Sequence, residues 1–149
     1  MYTSALGCFT MGVSMIVGMG VDIAEVSRMR EAIDRHGQRL LKRVFTPLEI
    51  AYCQRHKNCH ERFAARFAAK EAAMKALGTG WRRGVTWQDF EVFNASSGKP
   101  ELRLFGKASE ICRSLGGKNI LLSISHTSDY ALAEVIVEGT RDGEPGAML

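Results

Sequence analysis

No charged side chain precedes Asp22 in this chain of 149 residues. So long a neutral start invites the reading of a signal peptide or a membrane span. The basic residues that open a signal peptide are missing, however, and Gly7, Gly12, Gly18 and Gly20 dilute the hydrophobicity, so no targeting or membrane segment is read there. Cysteine is sparse as well. Cys8, Cys53, Cys59 and Cys112 lack the dense, even spacing of a disulfide framework, which points to reduced thiols and a cytoplasmic protein. Cys53, His56, Cys59 and His60 gather metal-binding residue types, but at a spacing that matches none of the usual structural zinc patterns. Internal repeats and low-complexity segments are absent.

With 46% apolar and 24% charged residues, the composition suits one globular domain with a substantial core. A formal charge of +4 favours an anionic partner: nucleic acid, a membrane surface, a phosphorylated small molecule or an acidic protein. Strand patterning begins around Met15, so residues 1–14 are read as an appendage. Residues 15–138 form the domain, and 139–149, with Gly, Pro and mixed charge, a flexible tail.

Val17, Met19 and Val21 alternate with Gly18, Gly20 and Asp22, the period of a strand over 16–22 with one packed face. From Ala24 the period becomes helical, with Val26, Met29, Ile33 and Leu40 on one side and Gly37 placed to end or bend the helix. Thr46-Pro47-Leu48-Glu49 predicts a capped helix start, running to about Lys57. A third helix is expected from Glu61 to Leu77, stopped by Gly78. Phe90–Phe93 and Leu102–Phe105 flank a turn at 96–100 and predict a hairpin. A helix over Lys107–Leu115 and strands over Ile120–Ser125 and Tyr130–Glu138 follow. The order gives an α+β domain whose antiparallel sheet packs against its helices.

Several residues carry possible chemistry. Gly18, Gly20 and Asp22 share a strand face, so either the backbone lies open there for close approach in front of a carboxylate, or small residues merely precede a turn. Ile23 stands where a dinucleotide fingerprint needs its third glycine. Glu71 and Lys75 are four apart on the third helix and face the same way, either as an ordinary surface pair or, with Arg66 and Lys70, as a site for a metal and an oligophosphate. Mg²⁺ takes only one or two protein carboxylates, a need that Asp22 and Glu71 could meet together. Ser123, Ser125 and His126 end a strand with several phosphate donors. A serine nucleophile is disfavoured there, because no Gly-x-Ser-x-Gly elbow is present and neighbours on a strand point opposite ways.

Gly18-Met-Gly-Val-Asp22, the block from Arg66 through Lys70, Glu71 and Lys75 to Gly78-Thr-Gly80, Gly98-Lys99-Pro100 and Ser123-Ile-Ser125-His126 together resemble the four motifs of the holo-[acyl-carrier-protein] synthases, in order and approximate spacing. The resemblance spans roughly Met15 to Glu138. It implies Asp22 and Glu71 as Mg²⁺ ligands facing the diphosphate of coenzyme A, with Lys75 neutralising phosphate. It implies further that the 98–100 turn and His126 contact the coenzyme from a neighbouring subunit of a homotrimer. Arg66, Lys70 and Ser125 are carried with that coenzyme set. Larger relatives add a third carboxylate two residues after the first aspartate; here that position is Ala24. Arg28, Arg35, Arg39 and Lys42 fall on one side of a continuous helical wheel, opposite the apolar side, either as a solvated face or as a face for an acidic partner. By the resemblance Arg28, with Arg35 beside it, docks the acyl carrier protein. The competing class is a basic nucleic-acid-binding module. Two carboxylates in the candidate site, few aromatics on the basic face and no binding motif argue against it.

Overall fold

The alternation of apolar residues with glycine folds as strand β1 (Met15–Glu25), and the change of period after Ala24 folds as helix α1 (Val26–Val44). The computed structural model describes residues 13–80 and 82–140. Within them follow α2 (Pro47–Gln54), α3 (Cys59–Ala76), a single 3₁₀ turn over Trp87–Asp89, β2 (Phe90–Asn94), β3 (Pro100–Leu104), α4 (Gly106–Ser114), β4 (Gly117–His126) and β5 (Tyr130–Gly139). Most of the expected appendage (residues 1–12) and of the expected tail (141–149) lies outside the described residues. The fold class is α+β, as the order of elements predicted. No helix among the described residues is long and apolar enough to cross a membrane.

The strands form two sheets where the sequence suggested one. β1, β5 and β4 make an antiparallel sheet with the last strand in the middle, whereas the hairpin β2–β3 pairs only with itself. Register places Asp22 opposite Ala133, and Ala24 opposite Ala131, which in turn faces His126 on β4. From Gly18 onward, residues with even numbers on β1 thus share the face that packs on α3, and those with odd numbers face away, whereas a register shift between Ile16 and Gly18 breaks the alternation before them.

Helix α3 is the centre of the core. Its alanines Ala64, Ala68, Ala69 and Ala72 are wholly buried, and their small side chains let the helix lie close against the sheet. Gly18 and Gly20 complete that fit: a Cβ on Gly20 would overlap the carbonyl oxygen of Ala72, and one on Gly18 that of Ala76. What approaches the bare strand face is therefore the backbone of α3, packed in place of a ligand.

The local stop and start signals behave as expected. Thr46 Oγ1 accepts from the Glu49 backbone while Glu49 accepts from the Thr46 backbone, so the capping box is closed, although α2 ends at Gln54, short of Lys57. Leu77 caps α3, and Gly78 follows at φ 67°, a left-handed conformation that glycine takes without steric cost. Gly37 leaves helical geometry altogether (φ 52°, ψ −136°) and splits α1 into two helical pieces.

Candidate active site

Two segments separated by about a third of the chain meet where α3 crosses β1. Lys75 Nζ lies 2.8 Å from Asp22 Oδ1 and donates to the Val21 carbonyl at 2.9 Å. Glu71, one helical turn before Lys75, projects to the same side. Burial raises the proton affinity of the Glu71 carboxyl, the Asp22 charge raises it further, and Lys75 opposes both. Two carboxylates held near one another in a half-buried setting are a natural ligand pair for a small hard cation, whose charge would relieve their repulsion. The residues present therefore fit Mg²⁺, and the tertiary structure supplies the meeting of Asp22 and Glu71 that spacing could not.

Lys70 does not belong to this set. Its side chain is 0% exposed, pairs with Glu49 at 2.7 Å, and donates to the carbonyls of Val44 (2.8 Å) and Trp87 (3.1 Å). Burial lowers its pKa while Glu49 opposes the shift. The reason is helical phase: Lys70 sits one residue, about 100°, from Glu71, and so looks into the interior toward α2. Lys70 is a core cation that binds helix to helix, and its assignment to the coenzyme is corrected accordingly.

A second polar cavity, of about 150 Å³, opens near the other end of α3 and is lined by Tyr52, Arg62, Arg66, Asn94, Pro100 and His126, among others. Arg66 is 4% exposed; it donates to Asn94 Oδ1 at 2.9 Å and its guanidinium lies 4.0 Å above the Tyr52 ring. Its Nε is buried without a protein partner. Asn94 in turn donates to the Gly98 carbonyl at 2.9 Å, tying the turn to the arginine. Gly98 takes φ 86°, which the tight turn requires and a β-carbon would resist. Lys99 is exposed at the same turn. Motif reading found Arg66, Pro100 and His126 but missed Tyr52, Arg62 and Asn94. The four-residue spacing of Arg62 from Arg66 was the one available signal.

Ser125 parts company with His126. Its strand register puts it on the sheet face away from α3, with Leu132 and Ile23, so within one chain it joins neither cluster. The two clusters are themselves apart: His126 contacts Glu61, ten residues before Glu71, about 15 Å along the helix axis. No group of three or more His, Cys, Asp or Glu among the described residues is placed to hold a metal. Cys53 is wholly buried, and burial pushes its thiol up to about 12, the reverse of a metal-binding thiolate.

On α1, Arg28 and Arg35 are exposed on the first helical piece, with Val26 and Met29 buried opposite. Arg39 and Lys42 are exposed too, but on the second piece. The break at Gly37 removes the common wheel on which the four were placed. Arg28 stands at the rim of a mainly apolar groove of about 510 Å³, lined by Ile23, Met29, Leu40, Phe67 and Tyr130 among others.

Comparison with known proteins agrees with this geometry. A family model, the 4′-phosphopantetheinyl transferase superfamily, matches residues 18–135. A holo-[acyl-carrier-protein] synthase of Solibacter usitatus is 59% identical over 124 residues, covering 83% of this chain and 99% of that protein. One of Koribacter versatilis is 56% identical over the same shares. Among solved structures, the Neisseria meningitidis synthase superposes with a TM-score of 0.76 at 33% identity, covering 83% of this chain and 98% of that one. A Bacillus anthracis synthase in complex with CoA (3′,5′-ADP) gives 0.70 at 36%, covering 85% and 99%. With a carboxylate pair and a lysine on the α3–β1 crossing, and with relatives matched over almost their whole length, the chain belongs to the 4′-phosphopantetheinyl transferase superfamily, in the company of the holo-[acyl-carrier-protein] synthases.

Proposed function

We propose that this protein transfers 4′-phosphopantetheine from coenzyme A to a serine of apo-acyl carrier protein, releasing adenosine 3′,5′-bisphosphate. The observation that carries the reading is the convergence of Asp22, Glu71 and Lys75 at one place. Asp22 and Glu71 would hold Mg²⁺, which when bound supplies charge neutralisation to the diphosphate in the transition state. Lys75, already pointed at the site by Asp22 and the Val21 carbonyl, neutralises a phosphate oxygen. The carrier serine Oγ bonds to the phosphorus that bears the pantetheine arm, and the bond from that phosphorus to the bridging oxygen breaks, leaving the electron pair on the bisphosphate. The serine proton needs an acceptor, and Glu71, beside Asp22 on the α3–β1 crossing, is a candidate carboxylate of this chain for it.

The cavity of Arg66, Pro100 and His126 fits the nucleotide end of the coenzyme, because it offers cationic donors and an unpartnered guanidinium nitrogen. Its distance from Asp22 within one chain favours a site shared between subunits of a homotrimer. The outer face of the three-stranded sheet supports such an assembly: Met19, Val21, Ile23, Leu121 and Leu132 are all exposed there, with Ile23 at 61%. Arg28 and Arg35 would meet the acidic carrier, with Arg28 beside the apolar groove. The free thiols of Cys53, Cys59 and Cys112 suit a cytoplasmic setting.

The test is mass spectrometry of apo-carrier protein incubated with the chain, coenzyme A and Mg²⁺. One added phosphopantetheine is the expected result. No mass gain on fatty-acid or polyketide carriers, together with salt-sensitive DNA binding, would support the nucleic-acid module instead.

A further inference from the structure

His126 is not held by the sheet alone. Its Nδ1 lies 3.5 Å from Glu61 Oε2, and both side chains are partly exposed, at 37% and 25%. The same carboxylate oxygen accepts from Asn58 Nδ2 at 3.1 Å, while Asn58 Oδ1 accepts from Arg62 Nε at 3.2 Å. Arg62 then donates to the Tyr52 hydroxyl at 3.1 Å, and Arg66 lies over the ring of that tyrosine. A continuous polar chain therefore runs from the imidazole through Glu61 to both arginines of the cavity. Among the described residues no carboxylate lines the cavity itself. Glu61 stands behind His126, so an anion can enter without meeting its charge.

We propose that Glu61 is a positioning residue for the nucleotide pocket: it engages Nδ1 of His126 so that Nε2 is the nitrogen left to a phosphate, and through Asn58 it fixes Arg62 beside Arg66. This rests on the reading of His126 as a coenzyme contact. The chemistry requires such a partner. A free imidazole on an exposed strand end rotates, and a neutral ring carries its single proton on either nitrogen. A carboxylate facing Nδ1 favours a proton on that nitrogen and fixes the plane of the ring, so that Nε2 is the nitrogen turned to the cavity. The two guanidiniums of the cavity also repel each other, and a carboxylate behind them offsets that repulsion without occupying the anion's place.

A double-mutant cycle on the full-length enzyme decides the matter, with KM for coenzyme A and kcat measured for Glu61→Ala, His126→Ala and the pair. Losing the carboxylate that orients His126 and, through Asn58, Arg62 predicts a rise in KM for coenzyme A of roughly tenfold for Glu61→Ala, with kcat changed less than about twofold. In the His126→Ala background the Glu61 change should add little, and Glu61→Gln, which keeps an acceptor for Asn58 and His126, should recover part of the loss. Ring-nitrogen NMR of His126 should report a changed Nδ1 environment in Glu61→Ala, a readout that a merely structural role would leave unmoved. Fully additive effects, or an unchanged His126 resonance, overturn the positioning role while leaving the nucleotide pocket intact. An unchanged KM for coenzyme A in His126→Ala overturns both.

Discussion

Lys75 and Asp22 are joined at 2.8 Å, so the cation proposed for substrate phosphate and one of the two candidate metal ligands hold each other in place. Glu71 is left as the less well compensated charge, with its carboxyl raised by burial and by Asp22. Because the folded state binds that proton more tightly than the unfolded chain, the parent protein loses stability as pH rises through the Glu71 range. Glu71→Gln should therefore abolish transfer yet melt above the parent at pH 7 in chelator-containing buffer. The gap should close below about pH 4, where the carboxylate is protonated in both states. Added Mg²⁺ should raise the melting point of the parent and not of the variant. Equal melting points at pH 7 would contradict this account of the site.

Lys70→Ala separates core from site. Removing a wholly buried ammonium strands the Glu49 carboxylate, at a cost of roughly 3–5 kcal/mol. Denaturant titration should show that loss, and what remains folded should keep its KM for coenzyme A. Replacing Lys70 and Glu49 together by Met and Leu should not restore the stability, because Glu49 also accepts from the buried backbone N–H groups of Thr46 and Val92.

Gly20→Ala tests the close packing of β1 on α3. A methyl group there must displace helix backbone, and the expected destabilisation is about 3 kcal/mol or more. A melting point within a few degrees of the parent would show that the helix can retreat. Activity should fall as well, since the same contact sets Lys75 against Asp22.

Arg28→Glu should raise KM for carrier protein and leave KM for coenzyme A nearly unchanged, because the groove that Arg28 lines includes neither Asp22 nor Glu71. Added salt should narrow the difference between parent and variant as it screens exposed charge. Equal impairment of both substrates, or a melted protein, would remove Arg28 from the docking face.

Mixing inactive Asp22→Ala chains with His126→Ala chains, assayed at coenzyme A far below the raised KM of the latter, should recover part of the activity if each site draws on two subunits. Failure to complement, with subunit exchange demonstrated by mixed oligomers in native mass spectrometry, would mean that one chain carries a whole site.

The sequence by itself determined the element order, because hydrophobic period, the Thr46–Glu49 capping box, Gly78 and the 98–100 turn are local signals whose physics acts within a few residues. It also supplied the candidates for the chemistry, since Asp22, Glu71, Lys75, Arg66 and His126 could be named from residue type and resemblance. Only the tertiary structure decided which of them meet. Helical phase turned Lys70 inward to Glu49 although it adjoins Glu71, strand alternation sent Ser125 to the face opposite His126, and Gly37 divided the basic wheel of α1. Gly18 and Gly20, legible as bare, were bare for the backbone of Ala72 and Ala76. Side-chain partners contributed by other elements, such as Asn94 to Arg66 and Glu61 to His126, depend on packing between segments distant in the chain, and no pattern along one segment records that.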